Sequence, residues 1–230
     1  AFRSSTTDVG VNVTVNAGTA TLSSFQLRGN SNNLTLIADD IDFNSTVSGT
    51  GNLVVQPFTN SQAIVLGAPF GSTLNALKLT QFEVNQLQAG FNSIVIGSPT
   101  GSGAITVANT VTFNSPVTLR SPNASGSITI SAPITNNSTL SLDAPTLALN
   151  APITGNGSQL RSLNALSVIN VANSGSIQNG VDLAPDGGTV NIAVGPYNVF
   201  GVPNQVVINK NLTVQGAGTS GGITNSTVID

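Results

Sequence analysis

Ser131-Ala132-Pro133-Ile134-Thr135 returns as Asn150-Ala151-Pro152-Ile153-Thr154, with the last four residues unchanged and an offset of nineteen positions. A repeat of that length is close to one small coil of a β-solenoid, in which each turn of chain hydrogen-bonds only to the turns above and below it. Inward Val, Ile and Leu then stack on like residues of neighbouring coils, and aromatic side chains become dispensable. A second echo, Phe-Asn-Ser at Phe43, Phe91 and Phe113, is each time followed soon by Val or Ile at a position suited to point inward.

On both sides of the repeat run short stretches of β-formers bounded by Gly, Asn, Pro or Ser. Upstream they are Val11 to Val15, Leu34 to Ala38, Leu53 to Gln56, Ala63 to Leu66, Ser93 to Ile96, Ala104 to Val107, Val117 to Leu119 and Ser127 to Ile130. Downstream they are Thr139 to Leu142, Thr146 to Leu149, Thr189 to Ala193, Val206 to Ile208 and Leu212 to Gln215. A sandwich or a barrel would use similar strands and the same turn chemistry, and it is the internal repetition that favours the solenoid. Only 7% of residues are charged, while the hydrophobic 39% is spread along the whole chain, which argues against disorder. Asn, Ser and Thr suit the corners, where their side chains satisfy backbone groups between one face and the next.

Thr80-Gln81-Phe82-Glu83 has the form of a capping box, with Val84 and Leu87 on one side and Gly90 as a stop. The expectation is an all-β fold, a single-stranded parallel β-helix with one short helix near 80–89. At 4.8 Å per coil, about nine to eleven coils would span about 45 to 50 Å. Three parts are expected: residues 1–24 as an N-terminal strand and first coil open to exchange with a neighbour, 25–186 as solenoid repeats, and 187–230 as C-terminal coils with an open end.

Residues 25 to 160 resemble the repeat regions of filamentous-haemagglutinin-like surface proteins of the cyanobacterial type. The matching text is Leu34-Thr-Leu-Ile-Ala-Asp-Asp-Ile-Asp-Phe-Asn, Gly51-Asn-Leu-Val-Val-Gln-Pro, and Gly90-Phe-Asn-Ser-Ile-Val-Ile-Gly-Ser through Gly103-Ala-Ile-Thr-Val. Residues 187 to 230, with Gly187-Gly-Thr-Val-Asn-Ile-Ala-Val-Gly-Pro-Tyr and Val206-Val-Ile-Asn-Lys-Asn-Leu-Thr-Val-Gln-Gly, are similar to the opening coils of right-handed β-helix proteins of the pectate-lyase-like class. These resemblances imply a right-handed coil and a secreted, surface-exposed location. Their motifs describe coil geometry and carry no catalytic residues. The surface proteins usually hold many more coils plus secretion and anchoring domains, which makes this chain a fragment or a subunit. A start at Ala1 in place of Met reads as a processed or trimmed end, with a signal peptide once ahead of it.

The function expected is that of a non-enzymatic structural subunit of an extracellular filament or surface layer, assembling head to tail with itself. Ala1, Phe2 and Arg3 at one end and Val228, Ile229 and Asp230 at the other would make the contact, which is heterologous and does not close. Few charges guard those ends: Arg3 and Asp8 at one, Lys210 and Asp230 at the other. Two alternatives stand: a monomeric adhesin module, capped at both termini, that binds surface polysaccharide or another cell; and a calcium-dependent polysaccharide lyase.

Six basic residues in a chain of net charge −3 form no patch able to neutralise several phosphates, so no nucleic-acid partner is expected. No apolar run reaches the roughly 18 residues of a membrane span. With no His, no Cys and one Glu, the ordinary acid–base and nucleophile–base pairs are largely missing, and no catalytic residue or cofactor is assigned. Pectate lyases rely on clustered acidic calcium ligands and a basic residue, for which the nearest candidates are Asp39, Asp40 and Asp42 with Arg28. Adjacent Asp39 and Asp40 point to opposite faces of a strand, while Asp40 and Asp42 share one. Those two carboxylates, with turn carbonyls, are the candidate calcium ligands; Ca²⁺ usually takes six to eight oxygens, and a solvated corner is the competing reading. Asp182 with Asp186, ahead of Gly187-Gly188, reads as a turn. Nine Asn-X-Ser/Thr sequons, among them Asn33, Asn44 and Asn136, are hardly an excess over the about six that chance supplies for this acceptor pattern.

Overall fold

The computed structural model describes residues 2–4, 7–9, 12–22, 25–27, 32–70, 75–155, 159–163, 168–172, 174–197, 206–217 and 227–228. The strands are paired in parallel and stacked as a β-solenoid of about eight turns with three faces. The first face starts with β1 (Phe2–Ser4), β4 (Thr19–Leu22) and β7 (Asp40–Phe43). It continues as an eight-stranded sheet ordered β11 (Ala76–Thr80), β10 (Ala63–Ala68), β13 (Ala104–Val107), β16 (Ser127–Ile130), β19 (Thr146–Leu149), β22 (Val168–Val171), β23 (Thr189–Ile192) and β25 (Thr213–Gly216). The second face holds β2 (Thr7–Val9), β5 (Phe25–Leu27) and β8 (Val47–Gly49), then β14 (Val111–Phe113), β17 (Ile134–Asn136) and β20 (Ile153–Thr154). The third is one seven-stranded sheet of β3 (Val13–Asn16), β6 (Asn33–Ile37), β9 (Asn52–Gln56), β12 (Ser93–Gly97), β15 (Val117–Arg120), β18 (Thr139–Asp143) and β21 (Gln159–Ser162).

The repeat that pointed to the fold is literally one coil. Ile134 pairs with Ile153 and Thr135 with Thr154 across β17 and β20, and the Ile134 N–H donates to the Pro152 carbonyl. Period-two alternation turns every second residue inward. On the third face Leu34, Leu53, Ile94, Val117 and Leu140 form one register column, and Leu36, Val55, Ile96, Leu119 and Leu142 a second. All ten are buried, and burial of each such side chain contributes about 1.5 to 3 kcal/mol. Phe43, Phe91 and Phe113 are buried too, as are Val47, Ile94 and Val117 after them, with Asn44, Asn92 and Asn114 exposed between. Since Phe43 closes a first-face strand, Phe113 a second-face strand, and Phe91 leads into the third face, the tripeptide marks corners and not one particular rung.

A column of asparagines closes the entrance to the third face. Asn12 Oδ1 accepts from the Asn33 N–H at 2.7 Å, Asn33 Oδ1 from Asn52 Nδ2 at 2.9 Å, and Asn52 Oδ1 from both Asn92 Nδ2 and Ser93 Oγ. Each side chain thereby satisfies a polar group of the next coil in place of water.

Two helices replace second-face strands. The first, α1 (Gln81–Gln86), has the expected capping box: Thr80 Oγ1 accepts from the Glu83 N–H, and Glu83 accepts from the Thr80 N–H. Leu87 then bridges Val47 in parallel, so that α1 and Leu87 fill the gap between β8 and β14. The second, α2 (Ile177–Leu183), corrects the expectation of a single helix. It stacks over β20, where Asn179 Oδ1 accepts from the buried Ile153 N–H at 2.8 Å. Gly180, a helix breaker in isolation, permits this packing: a Cβ there would lie 2.7 Å from Val171 Cγ2 and 3.0 Å from Val190 Cγ1.

The turn number also falls below the expected nine to eleven, to about 38 Å of rise at 4.8 Å per turn. Most turns take close to twenty residues, but 41 separate Ser93 from its rung partner Asn52. Val206 to Ile208, expected as a strand, is irregular. Its neighbour on the coil below is α2, which offers no ladder, and the Gln178 side-chain amide substitutes: Val207 N–H donates to Gln178 Oε1, and Gln178 Nε2 donates to the Val207 carbonyl. At the chain ends, Phe2–Ser4 pairs with Ala20–Leu22, and β26 (Thr227–Val228) pairs with β24 (Gly195–Pro196). Of the six residues expected at an assembly contact, Phe2, Arg3 and Val228 thus lie in paired strands, and Ala1, Ile229 and Asp230 lie outside the described residues.

Candidate functional site

The 41-residue turn holds the longest excursion between rung partners among the described residues. After β9 the chain makes β10, then doubles back so that β11 is inserted between β7 and β10 on the first face. Ile41 and Phe43 of β7 and Leu77 and Leu79 of β11 point into the core, and alternation therefore sends Asp40, Asp42, Lys78 and Thr80 outward. Phe82, 59% exposed on the first turn of α1, and Phe70, fully exposed after β10, stand over the same spot. Together with Asn44, Pro69 and Glu83 these residues line a cavity of about 400 Å³.

Burial, reinforced by the charge of Asp40, raises the Asp42 carboxyl above its ordinary range, against a hydrogen bond from Thr21 and the nearby Lys78 ammonium. Glu83 is raised as well, first by burial, although donors from Thr80 and Phe43 favour its ionised form. Its Oε1 accepts from the Phe43 N–H at 3.3 Å and its Oε2 from the Thr80 N–H at 2.8 Å and hydroxyl at 2.9 Å, so this carboxylate is committed to holding α1 against β7. Both raised values mean that the folded chain holds more protons than the unfolded one in the window between them. The stabilising contribution is therefore complete below the unfolded values and is lost as pH rises through the raised ones. Asp42→Asn should therefore raise the midpoint of thermal unfolding more at pH 7 than at about pH 4.5, and an equal change at both pH values would contradict this assignment.

Asp40 and Asp42 share one outer face, as the alternation requires. Asp39 turns elsewhere, accepting from the Phe58 and Thr59 N–H groups of the following coil, and Arg28 lies outside the described residues. Among the described residues no three Asp, Glu, His or Cys side chains are grouped to hold a metal ion. Asp186 lies in a turn closed by the Gly188 N–H donating to the Pro185 carbonyl, but Asp182, expected in the same turn, sits in α2 and accepts from Gln178 Nε2 at 2.7 Å. Of the sequons, Asn136 is fully buried with its amide donating to the Ser138 carbonyl, a position closed to a glycan. No helix among the described residues is long and apolar enough to cross a membrane.

Lys78, Phe70 and Phe82 were not singled out from sequence as partners of Asp40 and Asp42. The one available signal was the alternation in Ala76-Leu77-Lys78-Leu79-Thr80, which marks a strand but not its neighbour. Compared with family models, curated proteins and solved structures, the chain matches none.

Proposed function

We propose that this chain is a structural segment of an extracellular filament or surface layer, extended by pairing of its outermost coils with those of further copies, and that it works without catalysis. The observation carrying the reading is the state of the outermost rungs. Among the described residues β3 pairs only with β6, and β25 only with β23, each at the end of a sheet whose internal rungs are parallel. An open parallel rung accepts another by the same ladder that joins the coils inside, and two unlike ends produce a contact that does not close. The extracellular placement comes from the resemblance of residues 25 to 160 to haemagglutinin-like repeats.

Side chains at these rungs allow a direct test. Val13 and Val214 are partly buried hydrophobics packed against the end of the core. A lysine at either site can snorkel out of a free end but would be buried under a docked coil. Light scattering is expected to show wild-type mass rising with concentration, and Val13→Lys and Val214→Lys remaining monomeric with unchanged circular dichroism. Equal, concentration-independent mass for all three would overturn the proposal.

A further inference from the structure

The cavity at the inserted strand carries a binding role that is independent of end-to-end assembly. We infer that it binds a neutral pyranose unit of a polysaccharide, with Phe70 and Phe82 receiving the apolar face of the ring and Asp40, Asp42, Lys78 and Asn44 meeting its hydroxyls.

Aromatic residues make up 4% of the chain, and Phe58, Phe70 and Phe82 are the exposed aromatics among the residues whose side chains are described. Two of the three flank this one cavity. Phe70, fully exposed, buries nothing in the fold and adds nothing to the stability of the coil. Its ring is open to a ligand.

The polar lining then selects the ligand by elimination. Carboxylates of Asp40 and Asp42 accept hydrogen bonds, the Lys78 ammonium donates them, and the Asn44 amide does both. A purely apolar peptide would offer no polar groups to the carboxylates and the amide of this lining. Phosphates and nucleic acids meet two carboxylates. A polyamine or basic peptide meets Lys78. A calcium ion finds two carboxylates, because Glu83 is held by the Thr80 and Phe43 N–H groups. A pyranose combines an apolar C–H face with a ring of hydroxyls that are both donors and acceptors, which is the combination presented here. Hydroxyl donors to ionised carboxylates also form the stronger, charge-assisted kind of hydrogen bond. A cavity of about 400 Å³ suits one or two sugar rings.

The test is a titration, followed by NMR, of the ¹⁵N-labelled full chain carrying Val13→Lys, the variant expected to stay monomeric. The probes are neutral tetrasaccharides of glucose, galactose, mannose and N-acetylglucosamine, with spermidine and calcium chloride in separate samples. At least one tetrasaccharide is expected to shift the amides of residues 40–44, 70 and 78–83 with a dissociation constant near or below about 1 mM. The Phe70→Ala/Phe82→Ala double variant should weaken that binding by about tenfold or more, and Asp42→Ala by about fivefold or more, with wild-type spectra elsewhere. The proposal is overturned if no tetrasaccharide shifts these amides at about 10 mM, if only spermidine or calcium does, or if the double variant binds as wild type does. Val13 lies on β3, outside the lining of this cavity, so sugar-induced shifts in Val13→Lys are read whether or not the wild type assembles, and the two proposals fail separately.

Discussion

Replacing Gly97 by alanine should cost about 2 to 5 kcal/mol, one of the largest losses available to a single methyl group in this chain. Gly97 ends β12 with φ +112, a region that L side chains rarely adopt, and it stands in register with Arg120 of β15. A Cβ on Gly97 would lie 2.0 Å from the Arg120 carbonyl oxygen and 2.9 Å from its carbon. Neither atom can swing away, since Arg120 is itself fixed in a rung against Asp143 of β18. The cost thus combines an unfavourable dihedral, about 1 to 2 kcal/mol, with backbone overpacking of about 1 to 3 kcal/mol. Gly187 supplies the control: φ is +79, but nothing lies within 4 Å of its added Cβ. In urea titrations Gly187→Ala should lose only the dihedral part, and equal losses for the two variants would refute the packing argument.

Removal of the Arg120 side chain is the second large expected effect. Its Nε lies 2.8 Å from Asp143 Oδ2, as a close ion pair and not an aligned hydrogen bond. The Asp143 side chain is 4% exposed and that of Arg120 is 39% exposed, so water screens one charge and hardly reaches the other. Breaking a buried pair from one side costs about 3 to 5 kcal/mol, and a surface pair contributes about 0 to 1. For this half-screened pair a loss of about 2 to 3 kcal/mol is expected from Arg120→Ala. The double variant Arg120→Leu/Asp143→Leu should recover most of it, because it leaves no buried charge facing an apolar surface. A single variant within about 0.5 kcal/mol of wild type would show that the pair behaves as a surface contact.

Many strands of four to six residues were legible because they alternate cleanly, as in Leu34-Thr35-Leu36 and Ile128-Thr129-Ile130, but Thr19–Leu22, Ala76–Thr80, Gln159–Ser162 and Val168–Val171, no shorter, were not singled out. The nineteen-residue repeat was legible because one coil of identical text is laid on the next. The second face was largely missed. Val47–Gly49, Val111–Phe113 and Ile153–Thr154 are two or three residues long, too short for a period to show. The helix α2 was missed because Gly180 reads as a breaker until the crowding by Val171 and Val190 is known. Asp40 and Asp42 could be placed on one face by counting. Their meeting with Lys78 could not, because it depends on β11 doubling back beside β7, and strand neighbours in a sheet are a tertiary outcome.

The most direct test of the assembly is negative-stain electron microscopy of the purified chain at micromolar concentration, beside Val13→Lys. The account predicts unbranched filaments one coil wide in the wild type, many times longer than the about 38 Å of one molecule, and none in the variant. Discrete rods of single-molecule length in both samples would contradict it.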